Sequence, residues 1–270
     1  MQSASKIAQS YEQNGFHIFD KPVVDKQRVQ NALTGMDNVR AGKYDLGKPP
    51  EESPWNPGDD VNLLCKIEQP QIADRAIAEL IRSPEIGEVV AGATGAQMVQ
   101  VWWVQLLYKP PASKDEPTAT KVGWHRDWTY WKEFWQDGSE LLTAWFALSD
   151  VHGASGAMKF VIGSHQWQGI DGGDFYSQEN TSDDFDFPPG ASWDEKLTLM
   201  SPGGMSIHHK LTVHGSGWNV SSEPRRSFAI HLRTEKSAPI DGRREELTKY
   251  IDQLDICPII YGRKLDEAFD

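Results

Sequence analysis

The chain has 270 residues, with 27 Lys and Arg against 39 Asp and Glu and a formal net charge of −12, so it carries no basic footprint for a nucleic-acid backbone. Cys65 and Cys257 alone make no disulfide framework and no CxxC metal or redox pair. No apolar run reaches bilayer-spanning length, and the opening Met-Gln-Ser-Ala-Ser-Lys lacks the apolar core of a signal peptide, so a reducing, cytoplasmic setting is expected.

In chain order, Ala4 to Gln13 has spaced apolar positions and stops at Gly15, a short helix with a C-terminal glycine. Phe16 to Phe19 reads as a strand and Val24 to Met36 as a second helix. Gly42 to Asp60, rich in Pro, Gly and charge, is a long loop. Ile72 to Ile81 and Glu85 to Ala91 carry helical spacing. From Met98 the pattern changes. Val101 to Tyr108, Leu141 to Leu148, Met158 to Ile162, Met205 to Ile207, Leu211 to Val213 and Phe228 to Leu232 are short, β-branched or aromatic, and punctuated by Gly or Pro. Helices first and strands later predict an α+β protein dominated by β structure. Its expected core is a double-sheet jelly roll (a cupin-like double-stranded β-helix) with helices buttressing one face. Residues 1–270 are expected to form one domain, because the candidate metal ligands at the middle and far end must meet in one core.

Those ligands begin with His125-Arg126-Asp127. Two imidazoles and a carboxylate cap one face of an octahedral ferrous ion and leave three positions open. On a strand His125 and Asp127 project to one side and Arg126 to the other. With 8 His, and acids at 39 of 270 positions, such a triplet arises by chance about once per chain. The distal segment His214-Gly-Ser-Gly-Trp-Asn-Val-Ser-Ser-Glu-Pro-Arg225-Arg226 adds the weight. His214 is the natural third ligand; His208 and His209 compete, but no suitably placed Arg follows either. His17, His152 and His231 read as structural or surface residues.

A guanidinium a short strand away holds a carboxylate through two parallel charge-assisted bonds. Arg225 alternates with Ser227, Ala229 and His231, whereas Arg226 falls in register with Phe228, Ile230 and Leu232. The second set reads as a face packed on helices, so Arg225 is expected in the site. Gln105, on an otherwise apolar strand, requires a buried partner. Ser216 is either turn chemistry or a ligand contact, Asn219 a brace for the turn, and Trp145 a core aromatic or a pocket wall. Trp124, Trp128, Trp131 and Trp135 cluster at the metal motif, with Trp128 or Tyr130 the expected pocket members.

The distal segment resembles the distal box of the phytanoyl-CoA dioxygenase family, His-Gly-Ser-Gly-x-Asn followed at a variable distance by Arg. Gln105-Leu-Leu-Tyr-Lys-Pro-Pro111, Ala144-Trp145 with Ala147-Leu148, and Gly163-Ser-His165 resemble further elements of the family, over about Lys66 to Arg233. The resemblance implies the jelly-roll fold, Fe(2+) held by His125, Asp127 and His214, and the cosubstrates 2-oxoglutarate and O2. It also implies 2-oxoglutarate contacts from Arg225, Ser216, Gln105, Lys66 and Trp145. The implied activity is that of a 2-oxoglutarate-dependent dioxygenase, hydroxylating a C–H bond of a small metabolite with release of succinate and CO2. Asp127 argues against halogenation, since halogenating relatives carry a small residue there. A sugar-stacking β-sandwich module gives the distal His and Arg no role, and a zinc hydrolase built on the same ligands leaves Arg225 without one.

The run from Asp171 to Glu195 holds eight acids and no Lys or Arg. It reads first as a solvated loop. Laid over the site it would repel a polyanion such as a coenzyme-A thioester, so the expected substrate is a small neutral, zwitterionic or cationic molecule, with tryptophan faces available to a cation.

Overall fold

Asp25 starts the second helix by accepting hydrogen bonds from the backbone N–H groups of Gln27 and Arg28, the side-chain cap that an exposed first turn needs. A computed structural model describes residues 4–19, 21–112, 120–170 and 173–263 of the chain. Helix α1 (Ala4–Asn14) and strand β1 (Phe16–Phe19) precede that helix, α2 (Lys26–Arg40). Then follow β2 (Cys65–Glu68), α3 (Arg75–Ile81), α4 (Pro84–Thr94), β3 (Met98–Lys109), β4 (Val122–His125), the single turn α5 (Trp128–Trp131) and β5 (Leu141–Ala147). The chain ends with β6 (Met158–Val161), β7 (Glu195–Leu197), β8 (Met205–His209), β9 (His214–Ser216), β10 (Arg225–Thr234) and β11 (Ile259–Gly262).

The strands make two antiparallel sheets. The larger runs β1-β8-β5-β10-β3-β11, with β2 also paired to β3, and the smaller runs β4-β9-β6-β7. The long strand β10 shows how sequence becomes layers. Phe228, Ile230 and Leu232 are fully buried and pack with Val29 and Met36 of α2, Ile77 and Leu80 of α3, and Val90 of α4. Each such burial stabilises by about 1.5–3 kcal/mol. The intervening Ala229 instead joins Leu107, Trp145, Met158 and Phe160 between the sheets. Helices therefore cover one face of the large sheet, and the small sheet covers the other. This is the jelly-roll architecture with buttressing helices expected from the sequence.

The local differences have physical causes. The strand anticipated over Leu211 to Val213 begins instead at His214, because Thr212 is tied into a turn by its hydrogen bond to Gly15 O and by Thr212 N to His209 O. Strand β2, hidden beside a Pro- and Gly-rich loop, pairs with β3 from Cys65 opposite Tyr108 to Glu68 opposite Gln105. Between His231 and Leu232 of β10 the pairing with β3 shifts from Trp103 to Val101. Trp102 is the extra residue of that bulge, and the break in alternation turns it toward the inner layer, where its ring meets Trp131, Trp135 and His231.

Candidate active site

Two paired strands place the imidazoles. His125 ends β4 and His214 begins β9, and they are direct antiparallel partners, with ring centroids 4.2 Å apart. Nδ1 of His125 lies 2.8 Å from Gly123 O, and Nδ1 of His214 lies 3.0 Å from Thr212 O. A carbonyl only accepts, so each Nδ1 carries the proton and each Nε2 presents a bare lone pair. Asp127 does not sit on the strand, as simple alternation expected. Its backbone is helical (φ −58°, ψ −36°) and starts α5, and this turn rather than the pleat brings its carboxylate beside His125.

Asp127 Oδ1 stands 3.8 Å from His125 Nε2 and 3.7 Å from His214 Nε2, too far for hydrogen bonds and open enough to admit an ion between them. The three ligand atoms lie within 4.8 Å of one another, all buried. The other oxygen, Oδ2, accepts a 2.7 Å hydrogen bond from Thr143 Oγ1 and lies 3.2 Å from His208 Nε2. Thr143 Oγ1 is in turn 2.9 Å from His231 Nδ1, so one carboxylate oxygen is braced and the other is left free. Burial lowers the pKa of both imidazoles, which favours their neutral form. For Asp127, burial works toward a higher pKa, but the surrounding imidazoles, His214 first, outweigh it and hold the carboxyl well below its usual range. Neutral imidazoles with an ionised carboxylate are the protonation states that a divalent ion requires, and this N2O donor set suits ferrous iron.

The triad opens on a cavity of about 230 Å³ that Arg225, Ser216, Gln105, Lys66 and Trp145 also line. Arg225 is 2 % exposed and sits 5.1 Å from the Trp145 ring. Its Nη1 donates to Gly156 O at 2.5 Å, while its Nε is buried without a partner. Burial pulls its pKa down to about 9. Arg226 lies on the other face, 3.7 Å from Asp37 and beside the Tyr108 ring, in agreement with the alternation read from the sequence.

Behind Ser216 lies a residue that sequence reasoning passed over. Lys109 is 0 % exposed, and its Nζ donates to Ser216 Oγ at 2.7 Å and to Gly217 O at 2.6 Å. Burial, then the Arg225 charge, push its pKa well below the ordinary lysine range. Among the described residues no carboxylate pairs with either cation. Because Lys109 Nζ donates to it, the Ser216 oxygen is occupied as an acceptor and its own O–H is left to donate. A lysine continuing the inward alternation of Trp103, Gln105 and Leu107 was the available signal.

Glu68 is a second unassigned residue. Its Oε1 lies 3.2 Å from Lys66 Nζ and accepts from Gln105 Nε2 at 3.3 Å, and its Oε2 accepts from Trp103 Nε1 at 2.6 Å. Lys66 also donates to Tyr176 O–H at 3.3 Å and sits 4.6 Å from the Phe175 ring. His231, expected to be structural or surface, is buried and lines the cavity. Of the two aromatics proposed for the pocket, Tyr130 lines it, whereas Trp128 does not and instead lies under Lys210. Arg126 points away, as expected, and its guanidinium binds the carbonyls of Ser164, Trp167 and Ile170.

Among its described residues, the acidic segment presents Phe175 and Tyr176 to the cavity and no carboxylate. Asp174 accepts from Tyr130 O–H at 3.1 Å, Asp184 from Thr181 N, and Glu195 pairs with Lys159 at 2.7 Å. Asp171 lies outside the described residues. Tyr130 O–H also accepts from Phe175 N at 2.8 Å, and Gly123 N donates to Phe175 O at 2.9 Å. A Cβ on Gly123 would collide with the carbonyls of Asp174 and Ser177, so only glycine admits this close approach.

Residues 11–227 match the family model described as phytanoyl-CoA dioxygenase (PhyH). The chain belongs to the phytanoyl-CoA dioxygenase family. It is 28 % identical over 194 residues to a probable alpha-ketoglutarate-dependent hypophosphite dioxygenase of Stutzerimonas stutzeri, a match covering 68 % of this chain and 62 % of that protein. It is 23 % identical to the peroxisomal phytanoyl-CoA dioxygenase of Bos taurus, over 94 % of this chain and 76 % of that one. Among solved structures, the epimerase SnoN in complex with Fe3+, alpha ketoglutarate and nogalamycin RO superposes with a TM-score of 0.67 at 23 % identity, covering 87 % of this chain and 85 % of SnoN. The carbocyclase SnoK, described as non-heme and alpha ketoglutarate dependent, gives a TM-score of 0.66 at 21 % identity, with 89 % of each chain covered. The class expected from the sequence, a 2-oxoglutarate-dependent dioxygenase, agrees with the dioxygenase named by the family and by the Stutzerimonas stutzeri relative, and the SnoN complex contains both iron and alpha ketoglutarate. No helix among the described residues is long and apolar enough to cross a membrane.

Proposed function

We propose that this chain is an Fe(II)- and 2-oxoglutarate-dependent dioxygenase that hydroxylates a C–H bond of a small molecule, with His125, Asp127 and His214 as the metal ligands. One observation carries the reading. A buried His-Asp-His group and a buried guanidinium without a carboxylate partner open on the same cavity. An isolated buried cation is costly, and the far carboxylate of 2-oxoglutarate is the anion that balances it. When iron, 2-oxoglutarate and O2 are bound they supply the oxidation, in which the keto acid becomes succinate and CO2 and one oxygen atom goes to each of succinate and substrate.

The chain's own residues bind, orient and exclude water. Arg225 pairs with the far carboxylate, and Ser216, held as an acceptor by Lys109, turns its proton toward the same group. Trp145 closes the wall beneath the guanidinium. Thr143 and His208 fix the Asp127 carboxylate so that only Oδ1 faces the metal, and orienting partners of this kind typically matter 10- to 100-fold for metal affinity. Gln105 and Lys66 share Glu68 and set the lateral wall. The substrate is neutral, zwitterionic or cationic. Support for this comes from the lining, which holds aromatic rings and, apart from Arg225, no basic side chain without an acidic partner among the described residues.

The direct test is succinate formation from 2-oxoglutarate by purified protein, dependent on both Fe(II) and O2. Protein that binds Fe(II) yet forms no succinate above the metal-free control, with or without candidate substrates, would remove the assignment. Lys109→Met is expected to raise the 2-oxoglutarate concentration needed for half-saturation about 5- to 150-fold, the roughly 1–3 kcal/mol of one hydrogen-bonded charged group. Anaerobic titration of the Fe(II) protein reads this, and an unchanged midpoint would show that Ser216 is oriented without it.

A further inference from the structure

The cavity has two chemically distinct ends. Arg225, with Ser216 and Met158, marks one. Along the paired strands the other lies at His231 and Trp103, where Trp102 and Trp131 pack, and Tyr130, Phe175 and Tyr176 line the wall beside His125 and Lys66. Two observations define what this second end accepts. First, it offers mainly ring faces, with Trp102 Nε1 a buried, uncharged donor that has no partner among the described residues. Trp103 Nε1 is bound to Glu68, Tyr130 O–H to Asp174 and Phe175 N, and Tyr176 O–H to Lys66. Second, Lys66 and Glu68, its two charged side chains among the described residues, cancel each other. They stand 3.2 Å apart with side chains 13 % and 12 % exposed, and three donors already surround the Glu68 carboxylate.

We infer that the substrate is an uncharged, ring-bearing small molecule, and that the Lys66–Glu68 pair sets this preference by leaving no net charge for a charged substrate to answer. The inference rests on the dioxygenase reading above, since it assigns the Arg225 end to the cosubstrate. A charged group entering the aromatic end would leave water without a partner, a penalty larger than the attraction of a cation to ring faces. The paired Lys66 and Glu68 offer neither an ammonium nor a carboxylate a net opposite charge. A neutral ring meets neither obstacle and stacks on the indoles at offset or edge-on geometries.

Three probes sharing one ring separate the cases: benzyl alcohol, benzylamine and phenylacetate. Each is titrated without oxygen into protein loaded with Fe(II) and 2-oxoglutarate, following the perturbation of the visible iron–keto acid absorption, with melting temperature as a second readout. Benzyl alcohol is expected to bind at least about tenfold tighter than either charged probe. Glu68→Gln uncovers the Lys66 ammonium and should shift the preference at least about tenfold toward phenylacetate. Lys66→Met uncovers the carboxylate and should shift it likewise toward benzylamine. A charged probe binding tightest to the unaltered protein, or binding of none of the three up to their solubility, overturns the inference. So does an unchanged order in both variants where their absorption band is retained. Wild-type protein that never develops the band sinks the dioxygenase reading itself, which separates the two failures.

Discussion

His214→Ala, mixed anaerobically with Fe(II) and 2-oxoglutarate, is expected to show none of the weak visible absorption of a keto acid chelated to iron. Two donors remain after the substitution, and a buried pair at one face cannot hold the ion against water. His125→Ala and Asp127→Ala should behave alike, because the Nε2 lone pairs and Oδ1 are the three atoms facing the common point. His208→Ala is the control. Its Nε2 approaches the rear oxygen of Asp127 at 3.2 Å, so its loss should weaken iron binding without abolishing the band. An undiminished band in His214→Ala together with its loss in His208→Ala would move the third ligand to His208.

Arg225→Ala is expected to leave iron binding intact while raising the 2-oxoglutarate requirement steeply. Removing one partner of a desolvated charge pair costs about 2–5 kcal/mol, or about 30- to several-thousandfold. Arg226→Ala, on the helix-facing side beside Asp37 and Tyr108, should change that requirement less than threefold or so, the scale of an exposed ion pair. Initial rates of succinate formation against 2-oxoglutarate concentration rank the two. The opposite ranking would reverse the assignment of the two faces of β10.

The same strand shows why part of this site was legible beforehand. Arginine, serine, alanine and histidine alternate with phenylalanine, isoleucine and leucine from Arg225 to Leu232, and a period of two has one physical meaning when half the positions are apolar. The expected residues Lys66, Gln105, Trp145, Ser216 and Arg225 do share the cavity. What escaped depends on non-local geometry. The Trp102 bulge is a mismatch between two strands more than a hundred residues apart, invisible in either alone. Lys109 reads as a strand-end lysine headed for solvent until the His214 turn folds over it. Glu68 belongs to a strand too short and polar to separate from the preceding loop. The helical backbone of Asp127 likewise follows from the α5 turn, which four aromatic-rich residues do not announce. The acidic run reads first as a solvated loop, and counting its charge says nothing of direction: of its five aromatics, Phe175 and Tyr176 are the ones that turn to the cavity.

The contacts of residues 123–130 carry one more consequence. Gly123, Arg126 and Tyr130, interleaved with the proposed ligands His125 and Asp127, each hold part of residues 164–170 or 173–177: Gly123 through Phe175 O, Arg126 through three carbonyls, and Tyr130 through Asp174 and Phe175 N. Cover and ligand strand are therefore one mechanical unit, and free energy spent in opening one is felt by the other. Linkage makes the exchange reciprocal. An ion held by the proposed ligands His125 and Asp127 would tighten these contacts by as much as the contacts tighten the grip on the ion, so exclusion of water and hold on the metal would rise and fall together.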